Sequence, residues 1–150
     1  MKKHFFIILM VFSTSLLLNA QTKADRMAIK QTCLDYIEGW ATGNEERVAR
    51  AMSPELEKRS IDANGGSFTV GLSYSGLLSR TRQNKNGVQA KDFEPDKELV
   101  VEVEIYDITG DYATAKITNT KYGFFDYCHL AKFNGEWKIF NVLWGWIPEE

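Results

Sequence analysis

The chain changes its hydrophobic rhythm once, near Asn86-Gly87, from a mainly helical pattern to a mainly strand pattern. From Ala24 to Thr42 the apolar residues Ile29, Cys33, Tyr36, Ile37 and Trp40 recur at helical spacing and form one stripe. Gly43 stops that helix where the backbone must turn left-handed. Asn44 then caps a second helix, with Glu45 and Glu46 at the positive end of its dipole. Val48, Ala51 and Met52 give this helix an apolar side, and Ser53-Pro54 is expected to end it. Glu57 to Ile61 and Phe68 to Leu72 read as short strands around an Asn64-Gly65-Gly66 turn, and Ser73 to Gln83 as a third helix.

Past the break, apolar and polar residues alternate. Leu99, Val101, Val103 and Ile105 interleave with Glu98, Glu102 and Glu104. Thr109-Gly110-Asp111 turns the chain, and Ala113, Ala115 and Ile117 then interleave with Thr114, Lys116 and Thr118. Phe124 to Phe133 and Glu136 to Trp146 flank Asn134-Gly135, a strong two-residue hairpin signal. Helices first and an antiparallel meander afterwards predict an α+β layered fold.

The hairpin fixes faces. With Phe133 opposite Glu136, one face carries Phe125, Tyr127, His129, Ala131 and Phe133 with Lys138, Phe140, Val142 and Trp144. The other carries Asp126, Cys128, Leu130 and Lys132 with Trp137, Ile139, Asn141 and Leu143. Both faces are substantially apolar, so both need cover. Helices cover one, and a second copy of the chain is the expected cover for the other, giving a homodimer through the sheet.

The N-terminus has a different pattern. A basic start, Met1-Lys2-Lys3-His4, precedes an apolar run from Phe5 to Leu18 and then Asn19-Ala20. This is the plan of a secretory signal peptide over residues 1–20, and it predicts export to the periplasm or the medium, with no membrane attachment after cleavage. No Cys stands at the junction to take a lipid. Export permits a disulfide between Cys33 and Cys128 without requiring one.

Composition sharpens the picture only a little. Apolar residues at 44 % and charged residues at 25 % are those of a folded domain, which excludes a disordered chain. The net charge of −2 and the absence of any Lys/Arg cluster give nucleic acid no footing. Aromatics are abundant at 13 %. With His129 the one His past the signal, no zinc spacing exists and no metal is expected. Asn64-Gly65-Gly66 lacks the Lys and helix start of a phosphate loop, no nucleophile elbow is present, and no cofactor is expected.

Tyr36-Ile37-Glu38-Gly39-Trp40, Gly43-Asn44, Met52-Ser53-Pro54 and Lys58-Arg59 resemble the putative lumazine-binding family. So do Asp126-Tyr127-Cys128-His129-Leu130 and the run from Gly135-Glu136-Trp137-Lys138-Ile139 to Trp144. That family belongs to the nuclear transport factor 2-like (SnoaL-like) superfamily. The resemblance implies a cone-shaped, cystatin-like domain over 24–147, with N-terminal helices packed on a curved antiparallel sheet around a pocket. The family usually has His before the Pro, where this chain has Ser53.

The superfamily includes ketosteroid isomerases, and the resemblance implies three readings. In the isomerase reading, Tyr36 takes the oxyanion-hole position and His129 that of the protonated acid beside it. The general-base position falls on Ser60, which is no base, with Asp62 two residues on as a substitute. That missing base favours binding of a small apolar or planar molecule without turnover, by Tyr36, Trp40, Tyr127, His129, Phe140 and Trp144. An accessory interaction module with a filled pocket is the third reading. The same alignment puts the His129 face under the helices and Cys128 on the far side, so Cys33 and Cys128 are expected to be free, buried thiols.

Overall fold

The computed structural model describes residues 23–61, 71–84 and 97–148. The expected signal peptide, the Asn64-Gly65-Gly66 turn and Asp62 lie outside the described residues. Helix α1 spans 23–42, and its stripe is buried: Ile29, Cys33, Tyr36 and Ile37 are in the core. Gly43 adopts φ 71°, and the N–H groups of Gly43 and Asn44 donate to Trp40 O and Gly39 O, a Schellman ending. Asn44 then accepts from Arg47 N–H through its side chain and starts α2 (Glu45–Ala51).

Strand β1 (Met52–Arg59) begins straight after α2 and runs through Pro54, five residues earlier than the sequence pattern suggested. Pro54 is exposed there, where it need not donate to the sheet. A two-residue strand β2 (Leu72–Ser73) leads into α3 (Tyr74–Gln83), capped by the Ser73 side chain. Four longer strands follow: β3 (Val101–Thr109), β4 (Tyr112–Asn119), β5 (Phe124–Phe133) and β6 (Glu136–Trp146).

The six strands form one sheet in the order β2-β1-β6-β5-β4-β3. The sheet is mixed, not wholly antiparallel, because β1 returns from the helices to lie parallel to β6. Asn134 (φ 51°) and Gly135 (φ 84°) close the β5–β6 hairpin with the two left-handed residues such a turn requires. Phe133 opposes Glu136 and Leu130 opposes Ile139, as the two-residue turn dictates. A bulge intervenes before the next pair, where His129 opposes Asn141 and Phe140 is the extra residue. Beyond it Asp126 opposes Trp144 and Tyr127 opposes Leu143, a shift of one residue.

That shift corrects the face assignment. One residue of slip turns every side chain over, so Val142 becomes buried while Leu143 is 40 % exposed. Helix α1 packs on the face of Phe124, Asp126, Cys128 and Leu130, not on the His129 face. The apolar stripe of the helix and the most apolar side of β5 and β6 bury each other, which leaves the mixed His129 side outward. Cys33 and Cys128 are free and buried, but they share this one core instead of lying on opposite sides of the sheet. Among the described residues, no helix is long and apolar enough to cross a membrane.

Candidate functional site

The helix-facing side of the sheet is apolar except at a few positions, and those positions meet. Helix α1 places Tyr36 on its buried stripe, β1 places Lys58 two residues beyond Leu56, and β5 places Asp126 between Phe124 and Cys128. Lys58 Nζ donates to Tyr36 Oη at 2.7 Å and forms an ion pair with Asp126 Oδ1. Asp126 is wholly buried, and the Lys58 side chain is only 11 % exposed. Aromatic rings enclose the ammonium, which lies 5.2 Å from the Trp144 ring centre, 5.4 Å from that of Tyr36 and 5.8 Å from that of Phe124. Trp40 stands edge-on to Tyr122 and Phe124 and continues this aromatic wall.

Burial dominates the electrostatics. It raises the Asp126 carboxyl above the ordinary carboxylate range, and the Lys58 charge and hydrogen bond oppose the rise without cancelling it. Burial, then the Asp126 charge, raises the Tyr36 phenol well above its usual value. The Cys33 thiol is pushed up to about 12 by burial and then by Asp126, so it is protonated at neutral pH. The Tyr36 hydroxyl hydrogen-bonds the Asp126 carboxylate and also works against the rise, while Oδ2 meets no other partner among the described residues. Asn119 Nδ2, on the same side of the sheet, is buried and unpartnered among the described residues.

The residues singled out from sequence divide between the two sides. Tyr36, Trp40 and Trp144 gather on the helix side, Trp144 because the bulge turns it there. Tyr127, His129 and Phe140 lie on the outer side, away from Tyr36. His129 Nδ1 is 3.1 Å from Asn141 Nδ2, and the His129 ring lies 6.2 Å from that of Phe140. Phe140 borders a surface groove of about 340 Å³ with Tyr112 and Phe133. Ser60 is buried at the end of β1. Lys58 and Asp126 were not singled out: Asp126 is a lone charge in an apolar run, the signal that marks a buried charge, but Lys58 sits among Glu55, Glu57 and Arg59 and carries no such signal. Among the described residues, no group of His, Cys, Asp and Glu could hold a metal ion.

A family model described as putative lumazine-binding matches residues 24–145. The chain belongs to the putative lumazine-binding family. Solved structures similar to this family member share its fold. An NTF2-like protein of unknown function from Shewanella baltica is 22 % identical, with 84 % of this chain and 96 % of that chain covered at a TM-score of 0.67. An NTF2-like protein with a cystatin-like fold from Novosphingobium aromaticivorans is 12 % identical, with 91 % of each chain covered at 0.63. A putative scytalone dehydratase from the same organism is 12 % identical, with 87 % and 89 % covered at 0.57. No curated protein matches the chain in sequence. The family member therefore has an NTF2-like, cystatin-like fold, with Tyr36, Lys58 and Asp126 on the helix-covered side of its sheet.

Proposed function

We propose that this protein is an exported, non-catalytic binder of a small planar or apolar molecule, held against the helix side of the sheet. The observation that carries the reading is the buried Tyr36–Lys58–Asp126 centre inside a shell of aromatic rings. Few convergent polar groups within apolar walls are the usual composition of a small-molecule site. The family's description supports a small ligand, and the signal-like pattern of residues 1–20 supports export. Binding is favoured over turnover because Asp126 is engaged by the Lys58 ammonium and the Tyr36 oxygen accepts from the same cation.

A second reading, acid–base isomerisation or dehydration, draws support from a carboxylate and a phenol held close together, and from a neighbour described as a putative scytalone dehydratase. Native mass spectrometry of protein purified from its own source separates the two. A bound mass that dissociates unchanged supports binding, a bound mass released as an altered molecule supports turnover, and an unliganded protein counts against both.

The outer face is proposed to pair with a second copy. Its support is the row of exposed aromatics at Tyr106, Tyr112, Tyr127 and Phe133.

A further inference from the structure

We infer that the edge of β3 takes up an extended segment of a partner protein whose residues alternate between apolar and basic. The surface lies at the border of the sheet, so the inference does not rest on the helix-side ligand.

Strand β3 ends the sheet, with β4 on one side and no strand on the other among the described residues. An edge of this kind is a ready template for one more strand. Thr120 N–H donates to Val100 O at 3.3 Å just before the β3–β4 ladder begins. Bonded pairs in an antiparallel ladder fall on every second residue, so Glu102 bonds with Thr118 and Glu104 with Lys116. The backbone N–H and C=O groups of Val101 and Val103 therefore point away from β4, to the open side.

The two rows of β3 differ in chemistry. Val101, Val103, Ile105 and Ile108 lie half-buried against the core, while Glu102, Glu104 and Asp107 are exposed. No Lys or Arg stands in the strand. A groove of about 470 Å³ is bordered by Val101 and Val103 and also by Glu102 and Glu104. Neighbouring residues of a strand point to opposite faces, so a groove that touches both rows opens round the edge itself. Lys30 of α1 also borders it. So does Lys116, but its ammonium lies over the Phe125 and Tyr127 rings of β5.

Charge selects the occupant. A second copy laid antiparallel about Val103 would set Glu102 against Glu104, and like charges directly opposite are destabilising. Such acids guard an edge against its own copy, and the same acids attract a strand of opposite sign. Opposed residues share a face of the sheet. A strand with apolar residues beside Val101 and Val103, and Lys or Arg beside Glu102 and Glu104, therefore satisfies both rows.

The test titrates the protein into fluorescein-labelled Lys-Val-Lys-Val-Lys-Val-Lys and reads fluorescence anisotropy. The comparison peptides are Glu-Val-Glu-Val-Glu-Val-Glu and the basic peptide with every Val N-methylated. N-methylation keeps the charge and removes the donors that face β3 in an antiparallel pairing. The basic peptide should bind at least roughly tenfold tighter than either of the others. Glu102→Lys/Glu104→Lys, at two exposed positions, should reverse the preference between the basic and acidic peptides. If that variant does not fold by circular dichroism, the peptide series on the unaltered protein decides alone. Equal binding of the N-methylated peptide would mean attraction without strand pairing and would overturn the inference. No binding of the basic peptide, or a preference that the folded variant does not reverse, would overturn it as well. Hydrogen exchange at Val101 and Val103 that slows with rising protein concentration, with no peptide added, would put a second copy on the edge and overturn it too.

Discussion

Lys58→Met would leave Asp126 as a lone carboxylate in the core, and removing one partner of a buried pair typically costs about 3–5 kcal/mol. Urea denaturation at pH 7 should show that loss, and Lys58→Met/Asp126→Leu should recover most of it. The pH dependence has a definite sign. The folded-state pKa of Asp126 is raised, so its contribution to stability is present below the ordinary carboxylate value and lost as pH rises through the folded value. The gap between Lys58→Met and the unaltered protein should therefore narrow at pH 4. A gap that stays constant would mean that Asp126 is not the group left uncompensated. Asp25 has the opposite sign. The Lys132 hydrogen bond, at 2.6 Å, lowers its pKa most, burial opposes, and the Trp137 indole N–H adds to the lowering at 3.0 Å. Its contribution holds above the ordinary carboxylate value and is lost as pH falls through the depressed one. Asp25→Asn should cost about 1 kcal/mol at pH 7 and close to nothing near pH 2, where the two melting curves should converge. The two thiols supply a further residue-scale check. Ellman's reagent should label neither Cys33 nor Cys128 in the native protein and both in guanidinium, because burial keeps each protonated and covered.

At the scale of elements, α1 and α2 approach each other closely at one glycine. A Cβ at Gly39 would stand 3.0 Å from Val48 Cγ2 and 3.1 Å from the backbone oxygen of Asn44, and the oxygen cannot rotate away. Gly39→Ala gains about 0.5–1 kcal/mol of helix preference but forces the helices apart at a cost of about 1–3 kcal/mol. A net loss in urea midpoint is expected, and a gain would show that the pair separates freely. The helices were readable because each signal was local: the stripe of α1, the Gly43 stop, the Asn44 cap. The hairpin was readable for the same reason, since Asn134-Gly135 carries its turn type in two residues. The bulge was not. Ile139-Phe140-Asn141 contains no glycine or proline to mark an extra residue, and only packing against the helices selects the shift. One residue at Phe140 therefore moved Trp144 into the site, and an alignment one step out of phase had put His129 there in place of Asp126. Lys58 and Asp126 were hidden for a related reason: each looks like a surface charge until the strands are paired.

For the whole molecule, the two sides of one sheet have become different surfaces. The helix side is closed over a polar centre. The outer side leaves Tyr112 68 % exposed, Tyr106 51 %, Phe133 47 % and Tyr127 42 %, more aromatic area than a solitary sheet face usually offers to water. Lys116 Nζ lies 5.5 Å from the Phe125 ring and 5.8 Å from that of Tyr127, so the middle of this face is a cation on two rings, not a bare apolar patch. A two-fold partner would bury those rings against their own copies, since a two-fold interface meets itself. Size-exclusion chromatography with light scattering should return twice the chain mass at micromolar concentration. Tyr127→Glu should return the monomer by placing like charges across the two-fold, while the tryptophan emission stays unchanged because Trp40 and Trp144 lie on the other side of the sheet. A monomer before the substitution would overturn the pairing. A dimer that survives Tyr127→Glu would place the interface elsewhere, with β3 the longer of the two edge strands that the described sheet offers.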